Sequence, residues 1–315
     1  MTTATLDAKP RIGVSSCLLG NRVRWDGTGR RDDFLVDVLG AFVEYLPVCP
    51  EVEAGFGVPR EPVRLVGDPR EPRMIGLRSG VDYTDRMRAW AAKRAEELAG
   101  EGLCGFVFKS GSPSSGMMRV KVYGEGTIRR GGVGMFARAL TARLPLLPVA
   151  DEGRLNDLGL RENFIERIFV AHRWQRVTRT RGGLVAFHTA HKLLIMAHSV
   201  EHYRLLGRLV ASAAPLAELF AEYERQLAAA LGLQATVRKN TNVLSHVMGY
   251  FRKDLTAGEK RELLEIIESY RRELVPLIVP VTLLNHYVRK YGQEYLAGQL
   301  YLHPHPLELK LRNHA

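Results

Sequence analysis

Three cysteines in 315 residues, Cys17, Cys49 and Cys104, are too few and too scattered for a disulfide scaffold, and they cannot all pair. Long apolar runs are missing as well. The stretches 144–150 and 274–284 are short and interrupted by proline, so no segment is expected to span a bilayer. The first residues carry no apolar core ahead of a cleavage site, which makes a soluble cytoplasmic protein the expectation. Aromatic residues are only 8% of the chain, and no zinc-finger spacing, basic zipper or RNP sequence is present, so no recognised nucleic-acid motif can be assigned. Histidine is absent from the first 171 residues, although the chain has ten.

What the chain does contain is an ordinary globular balance, with 46% hydrophobic and 25% charged residues, which excludes a largely disordered protein. Its formal charge of +11 favours polyanions or phosphorylated small molecules at the surface. All cysteines lie in the first 104 residues and all histidines beyond residue 171, so two chemical environments are expected. We place an α/β domain at 1–170, a basic linker at 171–183 and a helical domain at 184–315.

In the first part, 11–15, 46–50 and 105–109 read as strands, 34–42 has helical spacing, and 84–99 reads as a helix capped by Thr84 and stopped by Gly100. This alternation argues for a Rossmann-like parallel sheet, whose ligands gather beyond the carboxyl ends of the strands. The second part reads as all-α. An apolar 3.6-residue period runs through 184–210, Thr256 and Glu259 form a capping box, and Pro276 and Pro280 separate that helix from one at 282–291.

Three turn-rich segments follow the strand candidates: Ser15 to Gly20, Pro47 to Glu51, and Lys109 to Gly116. In a parallel sheet their tips converge, bringing Cys17 and Cys49 to one edge beside Glu51 and several hydroxyls. Two thiols there could bind a soft metal centre, or one could act as a nucleophile; two small buried hydrophobes are the bland alternative.

These motifs resemble the thiouracil desulfurase family, also known as DUF 523. The resemblance rests on Ser16-Cys17-Leu18-Leu19-Gly20, Val23-Arg24-Trp25-Asp26-Gly27, Pro47-Val48-Cys49-Pro50-Glu51 and Ser112-Pro113-Ser114-Ser115-Gly116, within about residues 11–150. The second half is similar to the helical DUF 1722 domain often fused to it, as in YbgA-like proteins, through Ala186-Phe187-His188, Lys192, His198, Asn240-Thr241-Asn242, His246 and Asn285-His286-Tyr287. The resemblance implies a 4Fe–4S cluster held by three cysteines, with one iron open to take sulfur from a thiolated uracil such as 4-thiouridine monophosphate. It maps two ligands onto Cys17 and Cys49, the acid/base carboxylate onto Glu51 and the catalytic serine onto Ser112. The third ligand position carries Ser115 where the family has cysteine. Serine oxygen is a harder, less acidic ligand than thiolate and holds iron less well. Cys104 stands at the far end of a strand, ~17–20 Å away at ~3.3 Å per residue, too far to replace it.

Two readings follow: a cluster-dependent desulfurase of thiolated pyrimidine nucleotides, impaired at Ser115, or a catalytically degenerate nucleotide- or nucleic-acid-binding protein without a cluster. His188, His191, His198 and His202 share an arc of about 80° if one helix carries them, and read as hydrogen-bonded core or interface residues rather than one metal site. No chemistry is assigned to His188, His198 or His246.

Overall fold

A computed structural model describes residues 8–314. The chain divides into two compact units between Asp157 and Leu158. The first contains β1 (Arg11–Ser15), β2 (Glu44–Val48), α1 (Pro50–Glu53), β3 (Val63–Val66), β4 (Arg73–Gly76), α2 (Thr84–Ala99), β5 (Gly105–Phe108), β6 (Val120–Tyr123), β7 (Ile128–Gly132), α3 (Met135–Arg143) and β8 (Val149–Asp151). The expected parallel sheet is there, in the order β2-β1-β5-β8. Its centre follows from composition: β5 is the run Gly-Phe-Val-Phe, buried throughout, as a strand covered on both faces must be. Phe106 and Phe108 pack with Phe136 of α3 and with Ala91, Ala95 and Leu98 of α2. Burying each such ring is worth roughly 1.5–3 kcal/mol.

A second sheet, β4-β3-β6-β7, was not anticipated. Two antiparallel hairpins, β3/β4 and β6/β7, join through a parallel β3–β6 pairing. Their strands are four or five residues long and carry exposed cations such as Arg73, Lys121, Arg129 and Arg130, so they lack an apolar run that sequence could flag. The segment 34–42 is helical but irregular, a π turn followed by a 3₁₀ turn. Thr84 is not the cap of α2. Asp82 accepts from both the amide and the hydroxyl of Thr84, which lies inside the first turn.

The second unit is helical: α4 (Leu158–Gln175), α5 (Arg181–His198), α6 (Val200–Val210), α7 (Leu216–Gly232), α8 (Val237–Tyr250), α9 (Ala257–Arg271), α10 (Ile278–Lys290) and α11 (Glu294–Ala297). Thr180, Ser199, Thr236 and Thr256 each accept a backbone N–H at a helix start, and the Thr256–Glu259 capping box is formed on both sides. The segment read as a linker differs from that expectation. Residues 171–175 complete α4, whose Val170 and Trp174 belong to the core of the helical unit, and Arg181 already opens α5. The apolar period through 184–210 also hides a break. Ser199 is extended and caps α6, so His202 lies on a different helix from His188, His191 and His198. Pro280 is accommodated in the first turn of α10 instead of preceding the helix. No helix among the described residues is long and apolar enough to cross a membrane.

Candidate functional site

The loops after β1, β2 and β5 meet at the carboxyl edge of the parallel sheet around a cavity of about 350 Å³. Cys17, Cys49, Glu51, Ser112 and Ser115 all line it, together with Arg24, Trp25, Arg60, Lys109 and Ser114. Each is held there by local chemistry. Cys17 sits in a 3₁₀ turn directly after β1, where its carbonyl accepts from Gly20 and Arg30. Gly20 is left-handed at φ 90°, a conformation that glycine reaches without strain. Cys49 caps α1, its amide donating to Glu53 Oε1 at 2.8 Å and its thiol lying 3.7 Å from the Val23 carbonyl.

The loop 112–116 is docked onto the start of α3. Carbonyls of Ser114 and Gly116 accept from Phe136 and Gly134 at 2.9 and 2.7 Å, so amides that α3 cannot satisfy internally hold the loop. A Cβ on Gly134 would stand 2.5 Å from the Ser114 carbonyl oxygen, so only glycine permits this approach. Ser114 and Ser115 are consequently buried.

Charges around the cavity are mostly paired. Arg60 donates Nε to Glu51 Oε2 at 3.1 Å and a second bond through Nη2, with both side chains largely buried. Lys109 pairs with Glu152, which also accepts from the Ser110 amide and hydroxyl at 2.7 Å. Burial opposes the charge on Glu152, but these hydrogen bonds and Lys109 hold its carboxyl below the usual range. Arg24 bonds to Thr28 through its backbone amide, and its guanidinium adds positive charge to the lining, close enough for Asp26 to feel it. Burial pushes the Cys17 thiol up to about 11, against the pull of Lys109 and Arg24, and Cys49 raises it further. Cys49 is raised as well, again chiefly by burial. Without a metal both sulfurs are therefore protonated at neutral pH, which disfavours a free nucleophilic thiolate. A bound metal would displace those protons.

Cys104 does not line the cavity. Its amide bonds to Arg11 at the other end of the sheet, and an extended β5 separates it from the loop. Among the described residues, the single tight group of metal-type side chains is Glu162, Glu166 and His305, with donor atoms within 4.8 Å of one another. There Arg312 donates to Glu162 at 3.1 Å and to Glu166 at 2.9 Å, so a guanidinium already supplies the cation. Among the described residues, the sulfurs of Cys17 and Cys49 form no such close group with a third Cys, His, Asp or Glu. Two thiols and a hydroxyl line the cavity. The soft donor set for an iron–sulfur cluster is thus present at two positions, with oxygen at the third.

Sequence reasoning met Arg24, Arg60, Lys109 and Ser114 within its motifs and loops but gave them no role, and it missed Glu152. Glu152 carried a usable signal, since it directly follows the short strand β8 in the same sheet. His188, His191 and His198 are buried and hydrogen-bonded, to Tyr223, the Phe187 carbonyl, and Leu233 with Glu166 respectively. His246 is exposed beside Tyr250.

Comparison with known proteins divides the chain similarly. The profile of the 2-thiouracil desulfurase family matches residues 12–152, and that of DUF1722, a family of unknown function, matches residues 192–306. The uncharacterized protein YbgA of Escherichia coli (strain K12) is 37% identical over 153 residues, covering 47% of this chain and 90% of YbgA. The uncharacterized protein YbbK of Bacillus subtilis (strain 168) is 33% identical over 113 residues, 33% of this chain and 72% of YbbK. Among solved structures, the 4Fe-4S-dependent thiouracil desulfidase TudS is similar, with 32% identity, a TM-score of 0.40, and coverage of 49% of this chain and 98% of that one.

Proposed function

The chain belongs to the family of YbgA, with a first part that matches the 2-thiouracil desulfurase profile and a second that matches DUF1722, and from that premise we propose that its cavity removes sulfur from thiolated uracil nucleotides by hydrolysis. Water replaces the sulfur of a C=S group, the product carries C=O, and hydrogen sulfide leaves, with no net transfer of electrons. The substrate we infer is 4-thiouridine monophosphate, converted to uridine monophosphate. One observation carries the reading: Cys17, Cys49, Glu51, Ser112 and Ser115 line a single cavity inside the segment that the desulfurase profile matches.

Cys17 and Cys49 are the side chains that would hold a 4Fe–4S cluster, with the Ser115 hydroxyl at the third position. When bound, such a cluster supplies a thiophilic Lewis acid for the C=S sulfur. The chain's own residues supply the rest. Arg60 fixes the Glu51 carboxylate, which takes and returns the protons of the attacking water and departing sulfide. Ser112 presents a hydroxyl to the cavity. Arg24, a cation of the lining, suits an anionic nucleotide better than a neutral base.

The test is anaerobic reconstitution with iron and sulfide, followed by incubation with 4-thiouridine monophosphate. Loss of thiocarbonyl absorbance with matching sulfide release is expected, and Ser115→Cys raises both iron retention and rate. Binding of uridine monophosphate without iron uptake or sulfide release would instead support the cluster-free nucleotide-binding reading.

A further inference from the structure

Both oxygens of Glu51 are occupied by protein groups. Oε2 receives Arg60, and Oε1 receives the Ser114 hydroxyl at 2.7 Å. An ionised carboxylate only accepts, so Ser114 spends its single proton on Glu51. Its oxygen lies 3.0 Å from Ser112 Oγ, and with the Ser114 proton committed, Ser112 must be the donor between them. Ser112 Oγ in turn accepts from the amides of Ser115 at 3.1 Å and Ser114 at 3.3 Å. Three side chains are thereby ordered as Ser112, Ser114, Glu51, each proton pointing toward the carboxylate. Ser114 is 1% exposed, so water does not compete along the chain of bonds.

We propose that Ser114 is the positioning residue through which Glu51 exchanges protons with the cavity, and that this relay makes the Ser112 hydroxyl an activated nucleophile and proton carrier. A proton taken up by Ser112 Oγ from attacking water releases the Ser112 proton to Ser114, and the Ser114 proton passes to Glu51. When Ser112 itself attacks, negative charge developing on Oγ is met by two backbone amides. From the proposed function the inference takes the roles of Glu51 and Ser112, and it needs neither cluster nor thiouracil.

The experiment uses a fluorophosphonate probe on the full chain. Ser112 Oγ forms a bond to phosphorus, the P–F bond breaks, fluoride leaves with the electron pair, and the serine proton moves through Ser114 to Glu51. Peptide mass spectrometry is expected to place the adduct on Ser112. Labelling should slow by at least about tenfold in Ser114→Ala and in Glu51→Gln, while Ser114→Thr, which keeps the hydroxyl, restores it. Melting curves identify any variant that fails to fold, and Glu51→Gln carries the test if Ser114→Ala does. No adduct at Ser112 in the parent protein, or labelling indifferent to the loss of the Ser114 hydroxyl in a folded variant, overturns the relay. A protein that labels at Ser112 yet releases no sulfide refutes the desulfurase reading and leaves the relay standing.

Discussion

Glu51 in the α/β unit, half-buried, and Glu166 in the helical unit, fully buried, are both carboxylates bonded to an arginine, but their surroundings differ. Glu51 borders a cavity and passes a hydrogen bond to a serine loop. Glu166 is not among the residues lining that cavity: Arg312 binds Oε1, and His198, with no exposure at all, faces Oε2 at 3.1 Å. The other nitrogen of His198 lies 2.6 Å from the Leu233 carbonyl, which only accepts, so that nitrogen is the donor. Arg312 also reaches Glu162 and the Tyr301 carbonyl, tying the last residues of the chain to α4. The same ingredients serve two purposes. Where buried carboxylates are closed off by Arg312 and His198, the charges fix a structure; where part of the network opens on a cavity, they can exchange protons with a ligand.

The largest effect should come from breaking the closed network. Arg312→Met leaves Glu162 and Glu166 without their cation and is expected to destabilise the helical unit by about 3–5 kcal/mol. Arg60→Met should cost less, because water entering the cavity can solvate Glu51. Urea unfolding, resolved by amide hydrogen exchange in each unit, measures both, and equal losses would erase the distinction.

Acid should separate the units next. Burial holds His188 at about 4, with Lys192 adding to the effect, His191 at about 3, and His305 at about 4 with Arg312 adding. These imidazoles are neutral when folded and take up protons more readily when unfolded. Their stabilisation is complete above the unfolded value near 6.5 and is lost as pH falls toward 4. The α/β unit has no histidine. Hydrogen exchange at pH 7 and at pH 4.5 should show protection falling in 158–314 and holding in 8–157; uniform loss would refute the assignment.

A smaller effect tests helix ends. Thr256→Ala removes both the hydroxyl that accepts from Glu259 and a bond to the Glu259 carboxylate, for an expected loss of about 1 kcal/mol in the same measurement. Smallest of all, Cys104→Ala should leave iron loading unchanged, since Cys104 stands away from the cavity.

The same contrast explains what the sequence made legible. Cys17, Cys49, Glu51 and the serine loop could be brought together because each follows a strand, and a parallel sheet collects such segments at one edge. Arg60 received no role and Glu152 escaped notice because an ion pair between distant segments leaves no local pattern. Ser114 stood inside a recognised motif, but its place between Ser112 and Glu51 depends on how the loop docks onto α3. In the helical unit the capping box was readable from two residues, whereas the break at Ser199 lay inside an unbroken apolar period that both helices share. The hairpins of the second sheet were invisible because their strands are short and studded with arginine.

Iron and acid-labile sulfide per chain after anaerobic reconstitution test the central claim most directly. With Cys17 and Cys49 lining one cavity, iron and sulfide are expected in equal amounts, at most about four of each, higher in Ser115→Cys and falling to background in Cys17→Ala and in Cys49→Ala. Background levels in the parent protein that Ser115→Cys does not raise, or loading that survives removal of either thiol, would contradict the account.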